Sequence, residues 1–227
     1  MAERTWDAVD DFIVSHLVRP DPALDQAAAD AASAGLPAIA VAPPQGKLLH
    51  LLARAIGART AVEIGTLGGY SAIWLGRALG PAGRLITLER DERHAAVARG
   101  NVARAGLDEV VSIRVGRALD LLPAVLDELG EAGADLFFAD ADKASNPDYF
   151  AWGLRLVRAG GFIVVDNVVR GGAVVDAAAT DADTLGTRRL FEVVAAEPRV
   201  TATAVQTVGS KGHDGLLVAL VTPPAPG

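Results

Sequence analysis

Two short runs in the C-terminal half of this 227-residue chain concentrate its reactive side chains: Asp140-Ala141-Asp142-Lys143 and Asp166-Asn167. Carboxylates and an amide are hard oxygen donors of the kind that hold Mg²⁺, Ca²⁺ or Mn²⁺ and leave positions open for water and substrate. Taken singly, an Asp or Asn after a strand more commonly caps a helix or shapes a turn. Two such runs ending neighbouring strands bring three oxygen-bearing side chains together without any long-range coincidence. Lys143 has two readings as well. Most lysines at a helix start are solvated, but one held beside a metal and a cationic cofactor gives up its proton more readily and can act as a general base.

A third run, Glu63-Ile64-Gly65-Thr66-Leu67-Gly68-Gly69-Tyr70-Ser71, turns a strand into a helix through glycines and lets backbone approach a ligand closely. Glu89 ends the next strand, where a carboxylate can accept two hydrogen bonds from ribose hydroxyls. The glycine spacing is not that of a dinucleotide fingerprint. Glu63 would also set a negative charge near a pyrophosphate, whereas an amine-bearing ligand would welcome it. S-adenosylmethionine therefore suits the turn better than NAD. The plainer reading is that the glycines only make a tight strand-to-helix turn.

These residues need a scaffold that gathers strand ends. From Arg59 onward, short β-branched runs alternate with helical patterns: TAVEI, a helix over 70–79, RLITLE, a helix over 91–105, VVSIRV, a helix over 118–129, DLFFA, a helix over 147–157, and GFIVVD. Strands joined by helical crossovers demand a mainly parallel sheet covered on both faces, so the pattern predicts a doubly wound α/β domain. Ligands of such sheets lie beyond the carboxyl ends of the strands. After a helix over 184–196, VTATAVQTV and LLVALV are separated by GSKGHDG, too short for a crossover, and form an antiparallel C-terminal hairpin. Its turn, with Lys211 and His213, and the stretch Arg170 to Val174 are expected to border the substrate pocket. The first 46 residues stand apart, with seven acidic and two basic residues and three helical stretches broken by prolines and glycine, the third starting near Pro44. They read as an N-terminal helical lid on a catalytic unit over 47–227, within a single domain.

Composition narrows the partners. A net charge of −7 without a basic stripe disfavours nucleic acid. No run of about 18 apolar residues predicts a membrane span. The absence of cysteine excludes disulfides and thiolate ligands or nucleophiles and fits a cytoplasmic protein.

Four segments carry a resemblance: VEIGTLGGYSAIWLG, TLERD, ADADK and GGFIVVDNVVRGG. Over about 41–221 the chain resembles the cation-dependent small-molecule O-methyltransferases, the family of catechol and caffeoyl-CoA O-methyltransferases, and their short bacterial members above all. The resemblance implies a class I methyltransferase (Rossmann-like) fold, with Asp140, Asp166 and Asn167 as ligands of a divalent cation, Mg²⁺ foremost, and Lys143 as base. It places Val41, Glu63, Gly65, Thr66, Ser71, Glu89, Ala118 and Asp140 around S-adenosylmethionine, and it implies a homodimer. Two departures stand out. Val168-Val169-Arg170 replaces the aromatic that plant members carry after the Asp-Asn pair, and Asp142 replaces the bulky aromatic that precedes the lysine in catechol O-methyltransferase.

The expected activity is transfer of a methyl group from S-adenosylmethionine to one hydroxyl of a vicinal dihydroxy aromatic compound, catechol-like or caffeoyl-like. The alternatives are a metal-independent methyltransferase in which Asp166-Asn167 is only a turn, and a catalytically silent cofactor-binding protein.

Overall fold

A computed structural model describes residues 2–223. The chain opens with three helices, α1 (Ala2–Leu17), α2 (Pro22–Ser33) and α3 (Pro43–Ala55), and then alternates. The series is β1 (Thr60–Ile64), α4 (Tyr70–Leu79), β2 (Arg84–Glu89), α5 (Glu92–Arg104), β3 (Val111–Val115), α6 (Ala118–Leu129), β4 (Ala134–Ala139), α7 (Asn146–Leu156) and β5 (Val157–Asp166). Helix α8 (Ala182–Ala196) leads to β6 (Val200–Gly209) and β7 (Gly212–Val221). One sheet holds all seven strands in the order β3-β2-β1-β4-β5-β7-β6, parallel except for β7. The α8 crossover sets β6 parallel to β5 one strand away, and the hairpin returns β7 into the gap. The doubly wound α/β architecture with an antiparallel C-terminal hairpin is thus the one the alternation predicts.

The central strands β1, β2 and β4 are buried along almost their whole length, which is why they read as nearly continuous apolar runs, whereas the edge strand β6 is mostly exposed. Val62, Ile64, Ile86, Leu88, Phe137 and Val165 face one core layer with α6, α7 and α8. Ala61, Leu85, Leu136, Phe138 and Val164 face the other, under α3, α4 and α5. Among the described residues no helix is long and apolar enough to cross a membrane.

Two details differ from the sequence pattern. The GSKGHDG connection is mostly strand: β6 and β7 pair as far as Gly209 and Gly212, leaving Ser210-Lys211 as the turn. Within it His213 Nε2 meets Gln206 Oε1 across the hairpin at 2.8 Å, and Asp214 Oδ1 accepts from the Val169 and Arg170 N–H groups at 3.0 Å each. The other concerns the first 46 residues. Position 46 lies inside α3, and Gly46 packs so closely on the Trp74 indole that a Cβ there would stand 2.3 Å from it. Ahead of α3, the segment is docked on the sheet domain: Asp21 pairs with Arg77, Asp30 with Arg104 at 2.8 Å, and the buried Asn101 amide donates to the Gly68 carbonyl at 2.9 Å and to that of Ala27 at 3.4 Å.

Candidate active site

A cavity of about 740 Å³ opens at the carboxyl ends of the parallel strands. Val41, Gly65, Thr66, Ser71, Glu89 and Ala118 line one part of it, and Asp140, Lys143 and Asn167 another. Glu63 and Asp166 stand just behind the wall, 0% and 3% exposed.

The glycine-rich turn is shaped by close approach. Gly65 has φ 92°, and a Cβ on it would lie 2.1 Å from the Asp140 carbonyl oxygen, so only glycine lets the ends of β1 and β4 come together. Gly69, at φ 84°, then starts α4. Glu89 locks this turn from the neighbouring strand. Its Oε2 accepts from Thr66 N at 3.1 Å and Leu67 N at 2.8 Å, and its Oε1 accepts from Asp91 N at 2.9 Å. A carboxylate fixed by three backbone donors at a cavity wall is pre-organised to present its remaining lone pairs to hydroxyl donors such as those of a ribose.

At the other end, Lys143 Nζ donates to Asp140 Oδ1 at 2.8 Å, with the lysine side chain only 6% exposed. Burial first, and then the charge of Asp140, push the Asp166 carboxyl up to about 7, against the opposing pull of the Asn167 N–H and Lys143. Asn167 has φ 59°, a left-handed conformation that asparagine tolerates, and it lines the cavity beside them. Two crowded carboxylates, an amide and a single ammonium leave negative charge under-compensated, and their oxygen donors fit a divalent cation. Among the described residues no three His, Cys, Asp or Glu side chains converge in such a set.

The profile of the O-methyltransferase family matches residues 15–220. The chain belongs to this family. It is 52% identical over 213 residues to the catechol O-methyltransferase of Mycobacterium tuberculosis, across 94% of both chains. The O-methyltransferase of Bacillus cereus in complex with SAH superposes with a TM-score of 0.93 at 50% identity, covering 96% of this chain and 99% of that one. TomG of Streptomyces achromogenes, an O-methyltransferase of tomaymycin synthesis in complex with SAM, does so with a TM-score of 0.93 at 51% identity, covering 98% and 100%.

In this O-methyltransferase Glu63 lies under the glycine turn. Its register partner on β2 is Thr87, whose hydroxyl donates to Glu63 Oε2 at 2.6 Å and meets the Thr66 hydroxyl at 2.6 Å. Glu63 Oε1 has no hydrogen-bond partner among the described residues. Burial outweighs the Thr87 and Ser71 hydroxyls and pushes the carboxyl up to about 7 from its ordinary 4.5. A carboxyl raised on folding contributes stability that is complete below pH 4.5 and is lost as pH rises to 7. Glu63→Gln should remove that slope. Its stability relative to the wild type, from urea unfolding, should improve by roughly 3 kcal/mol between pH 4.5 and 7.5. A pH-independent difference would refute the assignment.

Several cavity residues of this O-methyltransferase went unrecognised in the sequence. His94 lines the wall, its Nδ1 3.5 Å from Glu89 Oε1, because it lies in the first turn of the helix that follows the strand ending in Glu89. That position, five residues after Glu89, was the available signal. Tyr149 donates to Asp142 Oδ1 at 2.6 Å, and burial together with that contact raises its ionisation well above the usual phenol range. The hairpin turn with Lys211 and His213 does not itself line the cavity but braces segments that do. Lys211 Nζ donates to the Ala38 carbonyl at 2.8 Å beside Ile39, and Asp214 pins the loop that carries Arg170.

Proposed function

We propose that this enzyme methylates one hydroxyl of a vicinal dihydroxy aromatic compound, with S-adenosylmethionine at the glycine turn and a divalent cation at Asp140, Asp166 and Asn167. The observation that carries the reading is the division of one cavity between a turn locked by Glu89 and an oxygen-donor cluster containing the buried Lys143. The catechol O-methyltransferase name of a relative 52% identical supports the substrate class. Glu89 would hold the ribose, and Val41, Gly65, Thr66, Ser71 and Ala118 the rest of the cofactor, with Glu63 acting from beneath and Asp140 serving cofactor and metal ends alike.

When bound, the cation, Mg²⁺ by the hardness of its donors, supplies Lewis acidity toward the two substrate oxygens. Lys143 in its neutral form accepts the proton of the reacting hydroxyl, and the freed oxygen pair takes the methyl group from sulfur. Phenolate and sulfonium charges cancel in this step, so positioning and exclusion of water contribute more than base strength. Residues 1–46 provide that cover: Ala27, Ala31, Ile39 and Val41 line the cavity from above the strands.

The reading is of a cytoplasmic homodimer. Val9, Phe12 and Leu17 of α1, Leu48 and Leu51 of α3, and Val205 and Val208 of the edge strand β6 are all 40% or more exposed on elements that pack against one another. Phe12 is 64% exposed and Leu17 68%. A second copy covering this apolar face explains the pattern. Light scattering at micromolar concentration should give twice the chain mass, and a monomeric mass would exclude the dimer.

The function is tested with labelled cofactor and a panel of catechol, 3,4-dihydroxybenzoate and caffeate against phenol and monomethylated catechol. Label should enter the vicinal diols and not the single hydroxyls. Equal labelling of phenol would support the metal-independent alternative instead.

A further inference from the structure

Arg170 stands three residues beyond Asn167, on the loop that follows β5, and lines the cavity at its oxygen-donor end. Its backbone adopts φ 59°, a left-handed conformation that a residue with a long side chain rarely takes. Asp214 from β7 enforces this geometry by accepting the Val169 and Arg170 N–H groups together.

The guanidinium, by contrast, is lightly held. Its Nη2 meets Asp183 Oδ2 at 3.2 Å, across the first turn of α8, and both side chains are 30% or more exposed. Such an exposed, single-point pair contributes little stability and exchanges its partner readily. Arg188 is held quite differently. Its guanidinium donates to the carbonyls of Ala173, Val174, Asp176 and Ala179 and so staples the same loop by itself. With Arg188 and Asp214 holding the loop, the Arg170 pair is not needed for that purpose. Asp183 keeps a second partner, accepting from Ala144 N at 3.2 Å beside Lys143, so it retains a hydrogen bond when Arg170 turns away.

The cluster at this end is otherwise acidic. Lys143 is engaged with Asp140, and Asp142 with Tyr149. Arg170 is therefore a partly exposed cavity cation of this region whose unused donors form a fork that matches a carboxylate in two-point geometry. We infer that Arg170 is a specificity residue that exchanges Asp183 for a carboxylate on the substrate, so that the preferred substrates are anionic catechols, with the acid on the ring or on a short chain. This rests on the vicinal dihydroxy aromatic reading above and adds to it the charge of the substrate.

The test is the ratio of kcat/KM for 3,4-dihydroxybenzoate and for caffeate to that for catechol. Arg170→Gln should lower this ratio about 10- to 100-fold, chiefly through KM, the size expected for losing a charge-assisted hydrogen-bonding partner. Arg170→Lys should recover part of it, and Asp183→Asn, which removes the competing carboxylate, should raise it. Calorimetric binding of 3,4-dihydroxybenzoate to the cofactor-loaded enzyme should weaken in Arg170→Gln by a similar factor, independent of turnover. The benzoate and caffeate arms tell a ring carboxylate from one on a chain. Equal losses on charged and neutral substrates would mean that the pair is only a structural clasp, and a fall in the ratio for Asp183→Asn would equally overturn the exchange. Failure to methylate catechol itself would instead remove the functional reading beneath it.

Discussion

Asp166→Ala, or excess chelator acting on the wild-type enzyme, is expected to lower methyl transfer to catechol by about 10³-fold or more, the several kcal/mol of Lewis-acid stabilisation that a bound divalent cation supplies. Cofactor affinity by calorimetry should persist, because the turn and Glu89 that would hold the nucleoside lie at the ends of β1 and β2. Added Mg²⁺ should restore the chelated wild type and not the variant. Asp166 is buried and crowded by Asp140, so its removal relieves an unfavourable charge. The melting temperature of the variant should not fall. Full turnover in excess chelator would show that Asp166-Asn167 is only a turn.

Lys143→Ala should lower kcat by about 10²- to 10⁴-fold, the usual contribution of a positioned base. Its defect should shrink as pH rises toward the ionisation of the phenol hydroxyl, because solvent hydroxide then removes the proton. The pH profile separates this role from a structural one. If Lys143 only held Asp140 in place through their 2.8 Å contact, the deficit would be the same at every pH. Cation binding, followed calorimetrically, should survive the substitution.

Much of this protein was legible in one dimension. The parallel sheet follows from β-branched runs separated by helical stretches, a pattern local enough that TAVEI, RLITLE and the helix over 70–79 coincide with β1, β2 and α4. The catalytic candidates were legible for a related reason. In this topology the cavity is built from the residues that end each strand, so position in the strand pattern is already position in space. What sequence could not supply were contacts between segments far apart in the chain. The exposed face of α1 could not be told from its half-buried face until β6 and α3 came to lie beside it. Glu63 and Glu89 are both acids ending strands, yet tertiary packing buries one under Thr87, with its carboxyl raised to about 7, and turns the other onto the backbone of the glycine turn. The roles of His213, Asp214 and Arg170 likewise depended on which loop the hairpin reached. The sequence by itself determined the order of strands and helices and the residue types at the strand ends, because both are set by short-range periodicity. Only the tertiary structure decided which of those side chains meet, which are desolvated and which remain free to take a ligand, because burial and pairing arise between residues that the chain keeps apart.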